Sequence, residues 1–433
     1  MFIFDFHWQI QHFLNQFWWP INFLLLVLLV VLGYLAYKKP AYAVGLTTIL
    51  LPTYLFRAQA WGLPFTFLEL CVWVTFFGWL LARIAETTSD RRFAISKFRW
   101  PVTLILLSAT ISLFIAPDWR AAAGLWKAYF IEPILFFLVV ANVAKDEKNK
   151  KVILWALGIS TLAISLLAIY QKFTGFGIFE PGWTGPGNRR VTSLFSSPNA
   201  VGLYLGPVVA IYFGWLMAEI KNLKEAILKI LIMIPALGAI VFTLSQGTWI
   251  GLLAAIIFLG FFGLSKKWTA GVTAALVILA LIVPTSRNIL APIIAFQDPA
   301  GQNRLTLFEM SKNKLLESPK SFILGAGILG FSRVQDESRD PLKIEPLLYP
   351  HNIVLNFWLE IGLLGLLAFG LVIIRFFRQG FNRRRNIDVP PAVNWLNLGI
   401  MTAMVTIIVH GMIDVPYFKN DLAILFWIII GLI

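Results

Sequence analysis

The stretch LYPHNIVLNFWLEIGLLGLLAFG (Leu348–Gly370) sets a proline and a histidine directly before a long, largely apolar run. A helix needs roughly 20 such residues to cross a bilayer core about 30 Å thick, and this run supplies them. Further apolar runs recur at Phe23–Tyr37, Leu253–Leu264 and Val272–Val283. With 58% of its 433 residues hydrophobic and only 13% charged, the chain lies outside the range of soluble proteins. No alternating barrel pattern is present, so helices must satisfy the backbone inside the lipid. The fold expected is all-α: a polytopic transmembrane helix bundle of about 12–13 spans. Its apolar segments fall at 20–37, 41–56, 64–83, 101–116, 121–143, 152–171, 200–218, 227–245, 248–264, 269–286, 351–374, 395–413 and 420–433.

A net charge of +14 would point to nucleic acid in a soluble protein, but here the basic residues gather in links between spans. That arrangement orients a membrane protein, so no nucleic-acid partner is expected. Lys38–Lys39, Arg91–Arg99, Lys145–Lys151, Lys221–Lys229, Lys266–Lys267 and Arg375–Arg385 occupy alternate links, which assigns them to the cytoplasmic side. The intervening links, with the N-terminus, fall on the outer side. The aromatic N-terminus MFIFDFHWQIQHFLNQFWW reads as an interfacial anchor rather than a cleaved signal. Cys71, the only cysteine, sits inside an apolar segment, which excludes an internal disulfide and a cysteine metal site.

Two outer links exceed the length of ordinary turns. Lys172–Ala200 is rich in glycine and proline, and the segment 287–350 contains NRLTLFEMSKNKLLES (Asn303–Ser318). In the latter, Leu305, Phe308, Lys312 and Leu315 recur at helical spacing, so a small helical cap is expected in the large outer loop. The chain divides into N-terminal transmembrane helices, 1–180, and a membrane region, 181–433, that carries the chemistry.

Glu69, Glu132, Glu360 and His410 are the main ionisable groups inside spans, with no spacing that suggests an ion relay. His351, after Pro350, is expected in the first turn of a helix at the outer surface, where a neutral imidazole can serve as a general base. The competing reading is an interfacial histidine bonded to headgroups or to a loop carbonyl. Glu360 lies about 13 Å deeper and half a turn round, which makes it a packing or hydrogen-bonding anchor, with Gly362 and Gly365 allowing close helix approach. Arg304, Arg189 and Arg190 are exceptions to the inward bias of positive charge, and their planar forks suit phosphate oxygens; the plain alternative is that they face water. GAGILG (Gly325–Gly330) fits a dinucleotide signature but has no room for a βαβ unit, so it reads as a tight turn. No paired acids or histidine cluster indicate a metal, and no cofactor is called for.

Several ordered motifs resemble the O-antigen ligase and O-antigen polymerase superfamily of bacterial envelope glycosyltransferases. They are NRRVTSLFSSPNAVGLYL from Asn188, FTLSQGTWIGLL (Phe242–Leu253), NRLTLFEMSKNKLLESPKSFILGAGILGF from Asn303, YPHNIVLNFWLEIGLLG from Tyr349, and HGMIDVPYFKNDLAILFWIIIG (His410–Gly431). The resemblance covers roughly residues 185–433. It implies metal-independent transfer of a glycan from a polyprenyl-diphosphate carrier to an acceptor hydroxyl on the outer face of the bacterial cytoplasmic membrane. The implied partners are a lipid-linked oligosaccharide donor, a glycan, lipid or protein acceptor, and membrane lipids. By this resemblance His351 is the base and Arg304 grips the diphosphate, while Asn199, Gln246, Asn352 and Glu360 support them. Gln246 stands where the family carries arginine, which leaves its charge to Arg189 or Arg190, or else implies weak activity or a different substrate. A transporter or flippase of lipid-linked sugars, or a scaffold for glycan enzymes, are the rival functions.

Overall fold

The computed structural model describes residues 2–4, 18–60, 63–85, 97–178, 180–185, 187, 189–267, 269–271, 273–275, 299–338, 347–385 and 390–433. Most of the segment expected at 269–286 lies outside these residues, as do most of the N-terminal anchor and the flanks of the large loop. The described chain is almost wholly helical. The helices before the large loop are α1 (Trp18–Lys38), α2 (Pro40–Ile49), α3 (Phe67–Ala85), α4 (Arg99–Leu113), α5 (Trp119–Val143), α6 (Glu147–Thr174), α7 (Pro198–Glu219), α8 (Leu223–Thr243) and α9 (Gln246–Gly263). Three loop helices follow, α10 (Pro299–Leu316), α11 (Pro319–Leu324) and α12 (Gly330–Ser338), then α13 (Ile353–Arg385), α14 (Pro391–Gly411) and α15 (Asn420–Leu432).

Among the described residues, nine helices are long and apolar enough to cross a membrane, fewer than the 12–13 expected. The segments expected at 41–56, 101–116 and 420–433 are shorter as helices, with 10, 15 and 13 residues. The first gives way to a 3₁₀ turn and a strand. Phe56–Ala60 (β2) pairs antiparallel with Phe2–Phe4 (β1) and Leu63–Thr66 (β3), a small sheet that an all-α reading did not anticipate.

The core is built on α7, α14 and α15. Gly214 of α7 and Gly399 of α14 meet backbone to backbone, and a Cβ on Gly214 would lie 2.5 Å from the Gly399 Cα. Small residues give membrane helices the close van der Waals contact that hydrophobicity cannot supply inside lipid. Almost all of α15 is buried, whereas α1 leaves Phe23, Leu24 and Val30 exposed, as suits a helix at the lipid boundary.

Basic residues collect at one end of the bundle. Arg383 donates to the Ile433 carbonyl (2.7 Å), Arg384 donates to the Phe262 carbonyl (2.7 Å), and Lys151 pairs with Glu219 (2.6 Å). His351 stands at the opposite end, before the start of α13.

α13 is not one straight helix. Ile361 and Gly362 are non-helical, with Gly362 at φ 74°, so the ladder breaks there and frees carbonyls inside the bundle. Such groups must find partners in lipid. The Glu360 and Ile361 carbonyls accept from the Ser112 and Ser108 hydroxyls of α4, and the Leu359 carbonyl accepts from the Ala326 N–H (2.7 Å). Ala326 belongs to the glycine-rich turn, whose Gly325 (φ 77°) and Gly327 (φ 86°) pack against the Leu359 carbonyl and Ala116. The turn therefore docks α10–α12 onto the first half of α13. Leu307, Met310, Leu315, Phe331, Val334 and Leu359 form the shared core. The buried face of α10 is Leu307, Met310, Ser311 and Leu315, and Leu305 and Lys312 of the expected stripe are exposed. The α13 surface and the glycine turn, not helical periodicity alone, choose which side of α10 is covered.

Gly362→Ala would place a Cβ 2.6 Å from the Ile323 carbonyl oxygen at a left-handed φ. This variant is expected to unfold at lower temperature and to be cleaved faster within 299–338 in limited proteolysis.

Candidate functional site

The site forms where the chain enters and leaves helices at the end opposite the basic links. His351 is not in the first turn of α13, as the Pro350 signal suggested. The Asn352 side chain accepts from the N–H groups of Val354 (3.0 Å) and Leu355 (3.0 Å), so Asn352 is the cap and the helix starts one residue later. His351 precedes that cap at φ 52°, a left-handed conformation unusual for a side chain that is not glycine. The Asn352 amide also donates to the Met412 carbonyl (2.9 Å), tying this corner to the end of α14.

That tie brings His351 to Asp414, with Nδ1 3.2 Å from Oδ1. An ionised carboxylate only accepts, so Nδ1 carries the proton and the neutral ring is left with a bare Nε2. Burial works to raise the Asp414 carboxyl. The facing His351, its hydrogen bond, His410 and the Val415 N–H outweigh burial and hold Asp414 well below the ordinary carboxylate range. His410, in the last turn of α14, has Nε2 4.0 Å from Asp414 Oδ2, so the carboxylate lies between two imidazoles.

The ring of His410 occupies the space left by Gly247. A Cβ there would lie 2.4 Å from its Cδ2 and 2.6 Å from its Nε2. Gly247 belongs to the turn between α8 and α9, where Leu244 is left-handed (φ 52°) and half-buried Gln246 opens α9. Arg190 reaches the same turn. Its Nε donates to the Thr243 carbonyl (2.9 Å), its Nη2 donates to Asn199 Oδ1 (3.3 Å), and its guanidinium lies 5.8 Å from the Trp183 ring centre. Arg189 turns elsewhere, donating to the carbonyls of Thr184 (3.1 Å) and Lys172 (2.9 Å), and so braces its own loop.

Arg304, half-buried in α10, makes no side-chain hydrogen bond or ion pair among the described residues. Its charge is felt at His410 and at Arg190. Burial first, and then the Arg304 charge, lower Arg190 below the ordinary arginine range. The two guanidinium groups are thus within reach of each other's charge, with no carboxylate paired to either among the described residues. Glu360 lies apart from this cluster, its Oε2 accepting from the Leu329 N–H (2.7 Å).

Sequence reasoning passed over Asp414, treated His410 only as an isolated intramembrane group, and missed Lys419. Half-buried Lys419 lies over the rings of Phe195 (4.5 Å) and Tyr54 (4.7 Å), 4.0 Å from Asp421. The His410–Asp414 spacing of four at the end of a span was the available signal. Among the described residues no group of three or more histidine, cysteine or acidic side chains is gathered as a metal site.

Residues 231–370 match the family model described as O-Antigen ligase, about a third of the chain. The match supports a relation of this region to the O-antigen ligase/polymerase superfamily. The ligase match takes in the α8–α9 turn, Arg304, the glycine turn and His351; Arg190, Asn199, His410 and Asp414 reach the site from outside it. The family implies glycosyl transfer of the ligase or polymerase type by a multi-pass membrane protein. No curated protein matches the chain.

Gly247→Ala tests the seat of His410 in this ligase region. Overpacking of this kind costs about 1–3 kcal/mol. A lowered unfolding temperature and displaced His410 ring resonances are the expected outcomes.

Proposed function

We propose that the protein transfers a glycan from a polyprenyl-diphosphate carrier to an acceptor hydroxyl at the outer face of the bacterial cytoplasmic membrane. The observation that carries this reading is that Arg190 and Arg304 lie within reach of each other's charge, and Arg304 within reach of His410, which shares the Asp414 carboxylate with His351. Like charges brought together in a partly buried place need an anion, and a diphosphate has the charge and the oxygens to meet both forks.

In this mechanism the acceptor oxygen attacks the anomeric carbon of the donor sugar and passes its proton to Nε2 of His351. The bond from that carbon to the diphosphate oxygen breaks, and its electron pair leaves on the diphosphate. Arg304 and Arg190 neutralise the charge that develops there. Asp414 fixes the tautomer of His351 and stabilises the imidazolium once the proton arrives. Arg190 supplies, at the α8–α9 turn, the charge that Gln246 lacks, with Asn199 holding its fork. Arg189 and Glu360 shape the two loops. No step calls for a metal.

The basic end of the bundle faces the cytoplasm by the positive-inside rule, which sets His351 outside. Gly185→Cys, in the exposed loop before Arg189, should label from outside intact cells with an impermeant maleimide. Lys221→Cys should label only after permeabilisation, and Cys71, fully buried, should not react. Reversed labelling would place the site on the wrong face for a translocated donor.

Transfer itself is tested with purified protein, a polyprenyl-diphosphate oligosaccharide and candidate acceptors. His351→Ala and Arg304→Ala should abolish product with the protein still folded. Asp414→Asn should cost on the order of 10²-fold or more, and EDTA should cost nothing. Undiminished turnover in the His351 and Arg304 variants would remove the proposal.

A further inference from the structure

A cavity of about 290 Å³ opens between the α4–α5 link and the loop helices. Ile115, Pro117, Lys314, Lys320, Ser321 and Arg333 are among the residues that line it. The proposed transfer uses none of them. Lys314 follows Arg304 by ten residues on α10, roughly 15 Å along a helix axis, so this is a second cationic position on the element that carries the first.

Three cations here are not explained by orientation in the bilayer, since the cavity lies at the end of the bundle away from the basic links. Lys314 is held by Glu317 at 2.6 Å, while Lys320 has no ion pair among the described residues. A ligand with negative charge fits such a lining.

The surroundings say what carries that charge. Phe114 and Trp119, on either side of Ile115 and Pro117, are 84% and 67% exposed, and Leu316 and Ile323 beside Lys314 and Lys320 are also exposed. Aromatic and aliphatic side chains turned outward around a basic cleft are the mark of the bilayer interface, where acyl chains begin below the headgroups. Depth agrees. The Gly325–Gly330 turn packs against α13 near its break at Gly362, nine residues or about 13 Å in from the helix start, which sets the cavity on the flank of a span.

We infer that this cavity holds the phosphate headgroup of an anionic membrane lipid, at a place separate from the one proposed for the carrier diphosphate. Lys320 and Arg333 contact the phosphate oxygens, Ser321 offers its hydroxyl, and the exposed aromatic and aliphatic rim lies along the acyl chains.

The test is native mass spectrometry of the full chain released from nanodiscs of equal phosphatidylglycerol and phosphatidylcholine. Wild type should retain phosphatidylglycerol in at least fivefold excess. Lys320→Gln and Arg333→Gln, both on exposed side chains, should each lower that excess about fivefold at unchanged unfolding temperature. Arg304→Ala should leave it intact, which separates this site from the transfer site. Equal retention of the two lipids, or an excess that survives the Lys320→Gln, Arg333→Gln double substitution, overturns the inference. So does sub-millimolar binding of inorganic phosphate in lipid-free detergent that Lys320→Gln abolishes, because the cavity would then serve a free anion.

Discussion

The break in α13 is the constraint from which much of the rest follows. A transmembrane helix interrupted at Ile361 and Gly362 exposes carbonyls where no water can reach them, and each must be met by a protein donor. Ser108 and Ser112, four apart on one face of α4, meet two, and the backbone of Ala326 meets a third. The third of these ties is long-range in consequence: it fastens the loop helices, and with them Arg304, to the helix that His351 precedes. Glu360 strengthens the joint by accepting from Leu329. A helix continuous through Gly362 would have no free carbonyl for the loop to dock on, and Arg304 would lose its fixed position relative to the imidazole.

Around that joint, charge is arranged by sign. Asp414 accepts from His351 and lies beside His410, and Lys419 lies close enough for its charge to meet both Asp414 and Asp421. Arg190 and Arg304 have no such compensation. Backbone and amide oxygens from Thr243 and Asn199 hold the Arg190 fork in place without neutralising it. A carboxylate in that position would have stabilised the empty protein at the expense of an incoming anion. Leaving Arg190 to carbonyl-type acceptors, and Arg304 to none among the described residues, keeps their charge available.

The membrane class, most helix positions and the segregation of basic links could be read from composition and spacing, because burial in lipid imposes a strong one-dimensional pattern. Short elements escaped it. The small sheet at Phe56–Thr66 and the half-length α15 depend on partners distant in the chain, which periodicity cannot report. The register of α10 slipped by the same logic: Leu305 and Leu307 are equally apolar, and only the α13 surface decides between them. At the site, His351 and Asn199 are marked by their place at span ends, and Arg304 and Arg190 by departing from the inward bias of positive charge. Asp414 is not, since one aspartate in the link HGMIDVPYFK looks like any solvated loop acid until the fold sets it between two imidazoles.

Gly247 shows why the two histidines must be considered together. The turn that in the family carries Ser-Arg-Gly here keeps its glycine but not its arginine. Its two positions answer to different neighbours. The glycine is required sterically, because the His410 ring fills the space of any side chain there. The arginine is required only for charge, and charge can be delivered from another strand of chain. Arg190 arrives at the same turn through the Thr243 carbonyl, and the Val191 N–H donates to the Phe242 carbonyl (3.2 Å) just behind it. Electrostatics tolerates a change of donor across a few ångströms, whereas packing does not, so the steric half of the motif stays in place while, in the proposed mechanism, its cationic half falls to Arg190.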